Sequence, residues 1–214
     1  MQKLDTKKAI KLLALGVLIH LFTYYIPKLI PYITDVKYFE TALDRQIPFL
    51  PIFMPIYLSA GLQWAYNYHV LGNGPENKFI KYFTAEISGK IICMFFFIFI
   101  PSAIQRPQVE VKDFFTWLTN LVFLLDSPSN AFPSIHCFLS WNCMRTVLDS
   151  DYASKHMKIF SCIWTGLIVA STLLVKQHVI VDCIAGIILA ELSILFGNYI
   201  SKIYCRNSPK SNLT

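Results

Sequence analysis

The feature that most constrains this chain is a succession of apolar stretches, each about as long as a helix must be to cross a bilayer. A hydrocarbon core of about 30 Å takes roughly 20 helical residues. Runs of that order recur at about 9 to 30, 48 to 71, 79 to 101, 131 to 148, 158 to 176 and 178 to 203 of the 214 residues. Composition agrees, because 55% hydrophobic residues, 15% charged residues and a mean hydropathy of +0.48 do not fit a domain folded in water. The expectation is an all-α polytopic membrane protein, a six-helix transmembrane bundle in which residues 1–214 form a single integral membrane domain.

Other classes fall away on similar grounds. An aromatic content of 15% and a net charge of only +6 argue against disorder. The basic residues sit in short groups between apolar runs, as membrane-flanking charges do, so no nucleic-acid partner is expected. Six cysteines, Cys93, Cys137, Cys143, Cys162, Cys183 and Cys205, show neither a CxxC pair nor zinc-like spacing and read as small buried hydrophobes. The basic Met1 to Lys11 followed by Leu12 to Tyr25 has the outline of a signal peptide, but Ile26, Pro27 and Lys28 make a poor cleavage site and a first span is preferred. Pro48, Pro51 and Pro55 predict an irregular entry to the second span, and Asn73-Gly74-Pro75 a break after it. The stretch 112 to 126 is too short to cross and is expected to lie in the interface.

Six crossings put both termini on one side with the loops near 72 to 81 and 145 to 158. That side carries 12 Lys and Arg, including Lys3, Lys78, Lys81, Arg145 and Lys210, against 6 on the other, Lys28, Lys37, Arg45, Arg106, Lys112 and Lys176. The positive-inside rule makes the first side cytosolic, as in a multi-pass protein of the plasma membrane.

Three polar groups interrupt the apolar chain: Ile100 to Pro107, Asn130 to His136, and Lys176 to Asp182. The first follows span three, the second opens span four, and the third joins spans five and six, so all meet at the non-cytosolic face. His178 and Asp182, four apart at a helix start, share a face on which the carboxylate accepts the Nδ1 hydrogen and leaves the other nitrogen for reaction. A polar pair that only stabilises the helix start is the alternative. Pro133-Ser134-Ile135-His136 has the form of a helix entrance, with Ser134 as N-cap. Exposed amides there suit phosphate oxygens, and His136 suits proton transfer to a leaving oxygen, unless the motif is an ordinary cap followed by a core histidine. Arg106 offers a planar fork for phosphate and Lys176 a second cation. Two histidines, a carboxylate and two fixed cations describe phosphoryl transfer better than a metal site, because cations repel metals; no metal and no cofactor is expected.

With these residues in place, the sequence resembles the type-2 phosphatidic acid phosphatase superfamily, whose pattern is Lys-x6-Arg-Pro, Pro-Ser-Gly-His and Ser-Arg-x5-His-x3-Asp. Arg106-Pro107, Pro133-Ser134-x-His136 and Ser171-x6-His178-x3-Asp182 match in order over about residues 99 to 186. The resemblance implies His178 as nucleophile, Asp182 as its orienting partner, His136 as general acid and then base, and Arg106 with Ser134 as phosphate holders. It also implies a six-helix bundle that needs no metal. Three positions depart from the pattern: Phe99 stands for the first Lys, Ile135 for Gly and Thr172 for the third motif's Arg. Lys176 is the candidate replacement for one missing cation. The departures look more like the sphingomyelin and inositol phosphorylceramide synthase branch, which passes the head group to another alcohol.

The expected function is therefore a lipid phosphate phosphatase, hydrolysing a phosphomonoester or diphosphate of a membrane lipid at the extracytoplasmic face through a phosphohistidine. A head-group phosphotransferase of the same fold and a non-catalytic binding protein or transporter are the alternatives. The expected partners are the phosphorylated lipid and the bilayer. Outside the site, Glu86 and Lys90 are expected to pair within span three, Gly186 to permit close helix packing, and Glu191 to lie apart. His20, His69 and His156 read as packing or interface residues, and Asp44-Arg45 as a candidate lining of the substrate entrance.

Overall fold

Residues 6–30 and 35–207 are described by the structure, a computed structural model. Lys3 and Lys210, two of the charges assigned to the cytosolic side, and the start of the basic N-terminal stretch lie outside the described residues. The elements of the described residues are helices: α1 (Thr6–Leu29), α2 (Ala42–Gln46), α3 (Met54–Leu58), α4 (Ala60–Asn73), α5 (Glu76–Phe99), α6 (Phe114–Leu125), α7 (Ile135–Asp149), α8 (Lys155–Leu174) and α9 (Ile180–Asn207). Extended pairing among the described residues is limited to two isolated bridges, Lys37 with Ser102 and Ala103 with Ser129.

Among the described residues, four helices are long and apolar enough to cross a membrane: α1 over Ile10–Leu29, α5, α8 and α9. The remaining two expected spans take a different form. The prolines break the second into a 3-10 turn at Pro51–Phe53, then α3 and α4, since proline at a helix start is tolerated but an interior one removes a hydrogen bond. The fourth begins at Ile135 rather than 131, because Ser134 caps it, and its 15 residues extend about 22 Å at 1.5 Å each, short of a bilayer core. α6 is too short to span, as expected, and opens with a capping box in which Asp113 accepts from the Thr116 amide.

The packing is that of a protein dissolved in lipid. Large apolar side chains face outward, among them Ile184, Ile188, Leu192, Leu195 and Tyr199 along α9, whereas Gln63, Asn67, Asn142, Thr165 and Ser140 are buried. Some of these groups pair inside the bundle: Gln63 donates to Thr165 Oγ1 at 2.7 Å, and Thr165 to the Ser140 carbonyl at 3.3 Å. Glu86 and Lys90 are both buried and pair with each other, with Tyr68 donating to the same carboxylate, as a charge at membrane depth requires. α5 packs most extensively on α9, where Gly186, Ala190, Ser193 and Gly197 form a stripe of small residues. Cys93, Cys137, Cys143 and Cys183 are buried as expected. Cys162 and Cys205 are not; Cys162 lies on an outward face of α8 within a span, and Cys205 is exposed in the last turn of α9.

At the end of the bundle where α1, α5 and α8 finish, three segments are tied together. The Lys37 amide donates to the Pro101 carbonyl at 2.8 Å, and the Ala103 amide to the Lys37 carbonyl at 3.0 Å. Ser102 Oγ accepts from the Phe132 amide at 2.8 Å, and the Ile104 amide donates to the Pro128 carbonyl at 2.9 Å. Ile104, Ala131 and Val179, one from each polar group of the sequence, form a single buried cluster.

Candidate active site

A cavity of about 300 Å3 opens at this end, with His136, His178, Arg106, Gln177, Asp126 and His20 among its lining residues. Each arrives by a separate local device. His136 is carried on the first turn of α7, whose start is fixed by Ser134: its Oγ accepts from the Cys137 amide at 3.2 Å, and its own amide donates to the Asp182 carbonyl at 3.0 Å. That second bond ties the α7 entrance directly to α9. Gly186 permits the approach, because a Cβ there would lie 2.5 Å from the Ser134 carbonyl oxygen and 3.2 Å from Cys137 Cβ.

His178 sits in the short turn between α8 and α9, where the amides of Gln177 and His178 both donate to the Thr172 carbonyl, at 2.9 and 3.1 Å. Lys176 occupies the left-handed region in this turn (φ 54°), a conformation that costs a non-glycine residue about 1–2 kcal/mol. Its ammonium donates to the carbonyls of Asp44 at 3.0 Å and Ile47 at 2.6 Å, which holds the turn against α2. Asp44 completes the clamp by accepting from the Ile180 amide at 2.7 Å. Burial pushes the Asp44 carboxyl up, but hydrogen bonds from Thr41 and Ile180, with Lys176 nearby, hold it below its ordinary value.

The two imidazoles face each other with ring centroids 6.1 Å apart. His136 stacks on Tyr57 at 4.4 Å and lies tilted against Trp64 at 5.3 Å, an aromatic seat that fixes its ring plane. Behind His178, Asp182 Oδ2 stands 3.5 Å from Nδ1, long for a hydrogen bond, and accepts instead from the Val179 amide at 3.0 Å. Arg106 is held on three sides: Nη1 donates to the Asp126 carbonyl at 2.6 Å, Nη2 to Gln177 Oε1 at 2.5 Å, and the guanidinium lies 4.6 Å from the Phe123 ring centroid. The Asp126 carboxylate approaches Arg106 Nη2 at 3.6 Å and Lys28 Nζ at 3.4 Å, and accepts from the Tyr24 hydroxyl. Burial pushes its carboxyl up to about 6, with His178 opposing.

Of the six residues picked out in the sequence, Arg106, His136 and His178 thus line one cavity. Asp182 and Ser134, both fully buried, lie behind it as supports. Lys176 is not brought into that cavity and lines a small neighbouring one with Asp44 and His178. Neither departure from the motif cations is filled in place. Phe99 is 61% exposed on the outer face of α5, and Thr172 is buried between Cys137 at 3.9 Å and Cys183 at 3.3 Å. Sequence reasoning missed Gln177, Asp126, Tyr24, Tyr57 and Trp64, and read His20 as a packing or interface residue; His20 meets Trp64 edge-on at 5.7 Å and also lines the cavity. Gln177 carried a signal, its place inside the third polar group; Asp126 and the α1 and α4 residues carried none. Glu191 lies apart, accepting from Trp141 at 2.7 Å and from Arg145 at 2.5 Å. No three His, Cys, Asp or Glu side chains converge as metal ligands among the described residues.

Residues 90–196 match the family model described as the PAP2 superfamily, a stretch that contains every lining residue contributed by the three polar groups. No curated protein and no solved structure matches the chain.

Proposed function

Because the chain belongs to the PAP2 superfamily, we propose that it is a metal-independent lipid phosphate phosphatase acting through a phosphohistidine at the extracytoplasmic face of the membrane. The observation that carries this reading is the pair of imidazoles, His136 and His178, facing each other at 6.1 Å across a cavity that also holds a guanidinium. A phosphoryl group between them has a nucleophile on one side and a proton donor on the other. His178 Nε2 attacks phosphorus in line, and Asp182 orients the ring and stabilises the positive charge it acquires. The 3.5 Å contact between them shortens as substrate draws the imidazole into place. His136 protonates the departing lipid alkoxide, then takes a proton from the water that releases phosphate. Arg106 and the amides of the first turn of α7 compensate the charge on the transferring group. Ser134 fixes those amides, and Lys176 fixes the turn that presents His178.

In this reading the chain crosses the plasma membrane six times. The segment from 48 to 73 and α7 supply the two crossings beyond the four long helices, and both termini are cytosolic, as the 12 to 6 distribution of Lys and Arg favours. The substrate is a phosphomonoester or diphosphate of a membrane lipid. One observation favours the head-group transferase as a second reading: among the described residues Arg106 is the only Lys or Arg lining the cavity, and a single fixed cation suits a singly charged phosphodiester.

The test is phosphate release in detergent with chelator present, using phosphatidic acid, phosphatidylglycerophosphate and polyprenyl diphosphate in parallel. Release from at least one of them, lost in a folded His178→Ala protein, is expected. A folded His178→Ala protein that still turns over ends the assignment. Exchange that appears only with an acceptor alcohol moves it to the transferase.

A further inference from the structure

Two buried hydrogen-bond donors on bonded neighbours that line the cavity, Gln177 and Arg106, have nothing to bind among the described residues. Gln177 is 5% exposed, and its Oε1 accepts from Arg106 Nη2 at 2.5 Å. A guanidinium carries donors only, so the amide oxygen must face it, and this partner fixes which end of the carboxamide is which. Nε2 is therefore the other end, and it has no acceptor among the described residues. The Nε of Arg106, the residue to which Gln177 is bonded, is likewise buried without a partner. One orphaned buried donor costs about 1–3 kcal/mol, so two on directly bonded neighbours ask for an acceptor they share. Both residues line the cavity with His136 and His178.

We propose that Gln177 is a phosphate-binding residue of this site, its carboxamide N–H donating to an oxygen of the phosphoryl group while the Arg106 Nε–H donates to another. The inference rests on the phosphoryl-transfer reading of the cavity. It accounts for how the anion is held where the motif cations are absent: the position of one faces lipid as Phe99, and the other is Thr172, walled in by two thiols. A neutral donor adjacent to the nucleophile, locked by the arginine it supports, takes their place. A tetrahedral oxyanion is the chemistry recognised, whether borne by a lipid or free.

The experiment reads the donors themselves. The full chain, labelled with 15N in glutamine and arginine side chains, is titrated in micelles with orthovanadate and separately with inorganic phosphate. One glutamine NH2 pair, identified by its loss in Gln177→Leu, and the Arg106 Nε–H resonance are expected to shift together, with the concentration dependence of vanadate inhibition. Gln177→Leu should weaken vanadate binding at least tenfold and raise KM for phosphatidic acid more than it lowers kcat. Gln177→Glu still accepts from Arg106 but cannot donate, so it should lose affinity as well. If Gln177 served only to hold Arg106, the Arg106 Nε–H would shift with vanadate while the Gln177 NH2 pair stayed in place. Unmoved Gln177 signals at saturating vanadate, or binding within twofold in both variants, overturn the proposal while an active unaltered chain leaves the phosphatase reading intact. An unaltered chain that neither binds these anions nor releases phosphate overturns both. Because the shifts are read on the unaltered chain and either variant removes the Gln177 NH2 pair, the result needs only one of the two variants to fold.

Discussion

Asp126 makes Arg106 a contested residue. Its carboxylate lies 3.6 Å from the guanidinium and 3.4 Å from Lys28 and takes the Tyr24 hydroxyl as well, while His178 faces it across the cavity. Burial has pushed this carboxyl up to about 6, above the ordinary value of 3.8. The sign follows from linkage: an acid raised on folding makes its ionised form a cost above about pH 6, relieved as pH falls through that value towards 4. Below about 6 the proton also releases Arg106 from a competing anion. Vanadate should accordingly bind several-fold more tightly to the unaltered chain at pH 5 than at pH 7.5, relative to Asp126→Asn measured in the same buffers. The Asn variant cancels changes common to both proteins, including those in vanadate itself, and at pH 7.5 it should bind more tightly than the unaltered chain. Parallel pH profiles for the two proteins would remove Asp126 from this role. Nothing in the sequence marked the residue, because it belongs to no polar motif. It reaches the site as the residue that ends α6, an element legible only as a short apolar helix.

At the scale of elements, the distance between the two imidazoles depends on how closely α9 meets the entrance of α7. Gly186 sets that distance: a Cβ would meet a main-chain oxygen at 2.5 Å, and backbone has nowhere to retreat. Gly186→Ala should push α9 from Ser134, strain the Ser134–Asp182 hydrogen bond and cost about 1–3 kcal/mol of stability, the usual penalty for overpacking. Phosphate release should fall by at least tenfold, since displacements near 1 Å cost on the order of 100-fold. Gly166→Ala on α8, where nothing lies within 4 Å, is the matched control and should change neither. Equal activity in the two variants would show that the helix approach is not what spaces the histidines. The sequence announced this glycine as a packing position, and it announced the proline disturbance of the second span. It also announced Ser134 as the N-cap that opens α7, but the apolar runs alone did not show where helices start, since a cap moves a boundary by a turn without altering the run. Nor did it show that Lys176 would spend its charge on carbonyls of α2, a contact across 132 positions that no local pattern records.

For the whole molecule, the outer face is apolar as well as the core, so a water-borne probe reaches only the ends of the bundle. This makes sidedness measurable with the native thiols. Cys162 is exposed, but on α8 within a span; Cys205 is exposed near the end of α9, where Lys202 and Arg206 mark the expected cytosolic side. A membrane-impermeant maleimide reacts with thiolate in water, so it should leave Cys162 unlabelled in intact cells and label Cys205 only after permeabilisation. Glu110, with an 82% exposed side chain in the segment between α5 and α6, lies at the end that holds the cavity, and Glu110→Cys should label without permeabilisation. The pattern distinguishes two orientations with opposite chemistry, because the cavity draws its lipid from whichever leaflet it faces. Labelling of Cys205 from outside together with protection of Glu110→Cys would turn the bundle over, place the histidine pair at the cytosolic surface and refute the reading of the Lys and Arg asymmetry. Labelling of both from outside would instead require an even number of crossings between Glu110 and Cys205, and α7, the shortest of the three expected spans between them at 15 residues, would then be the first to lose its place among the spans.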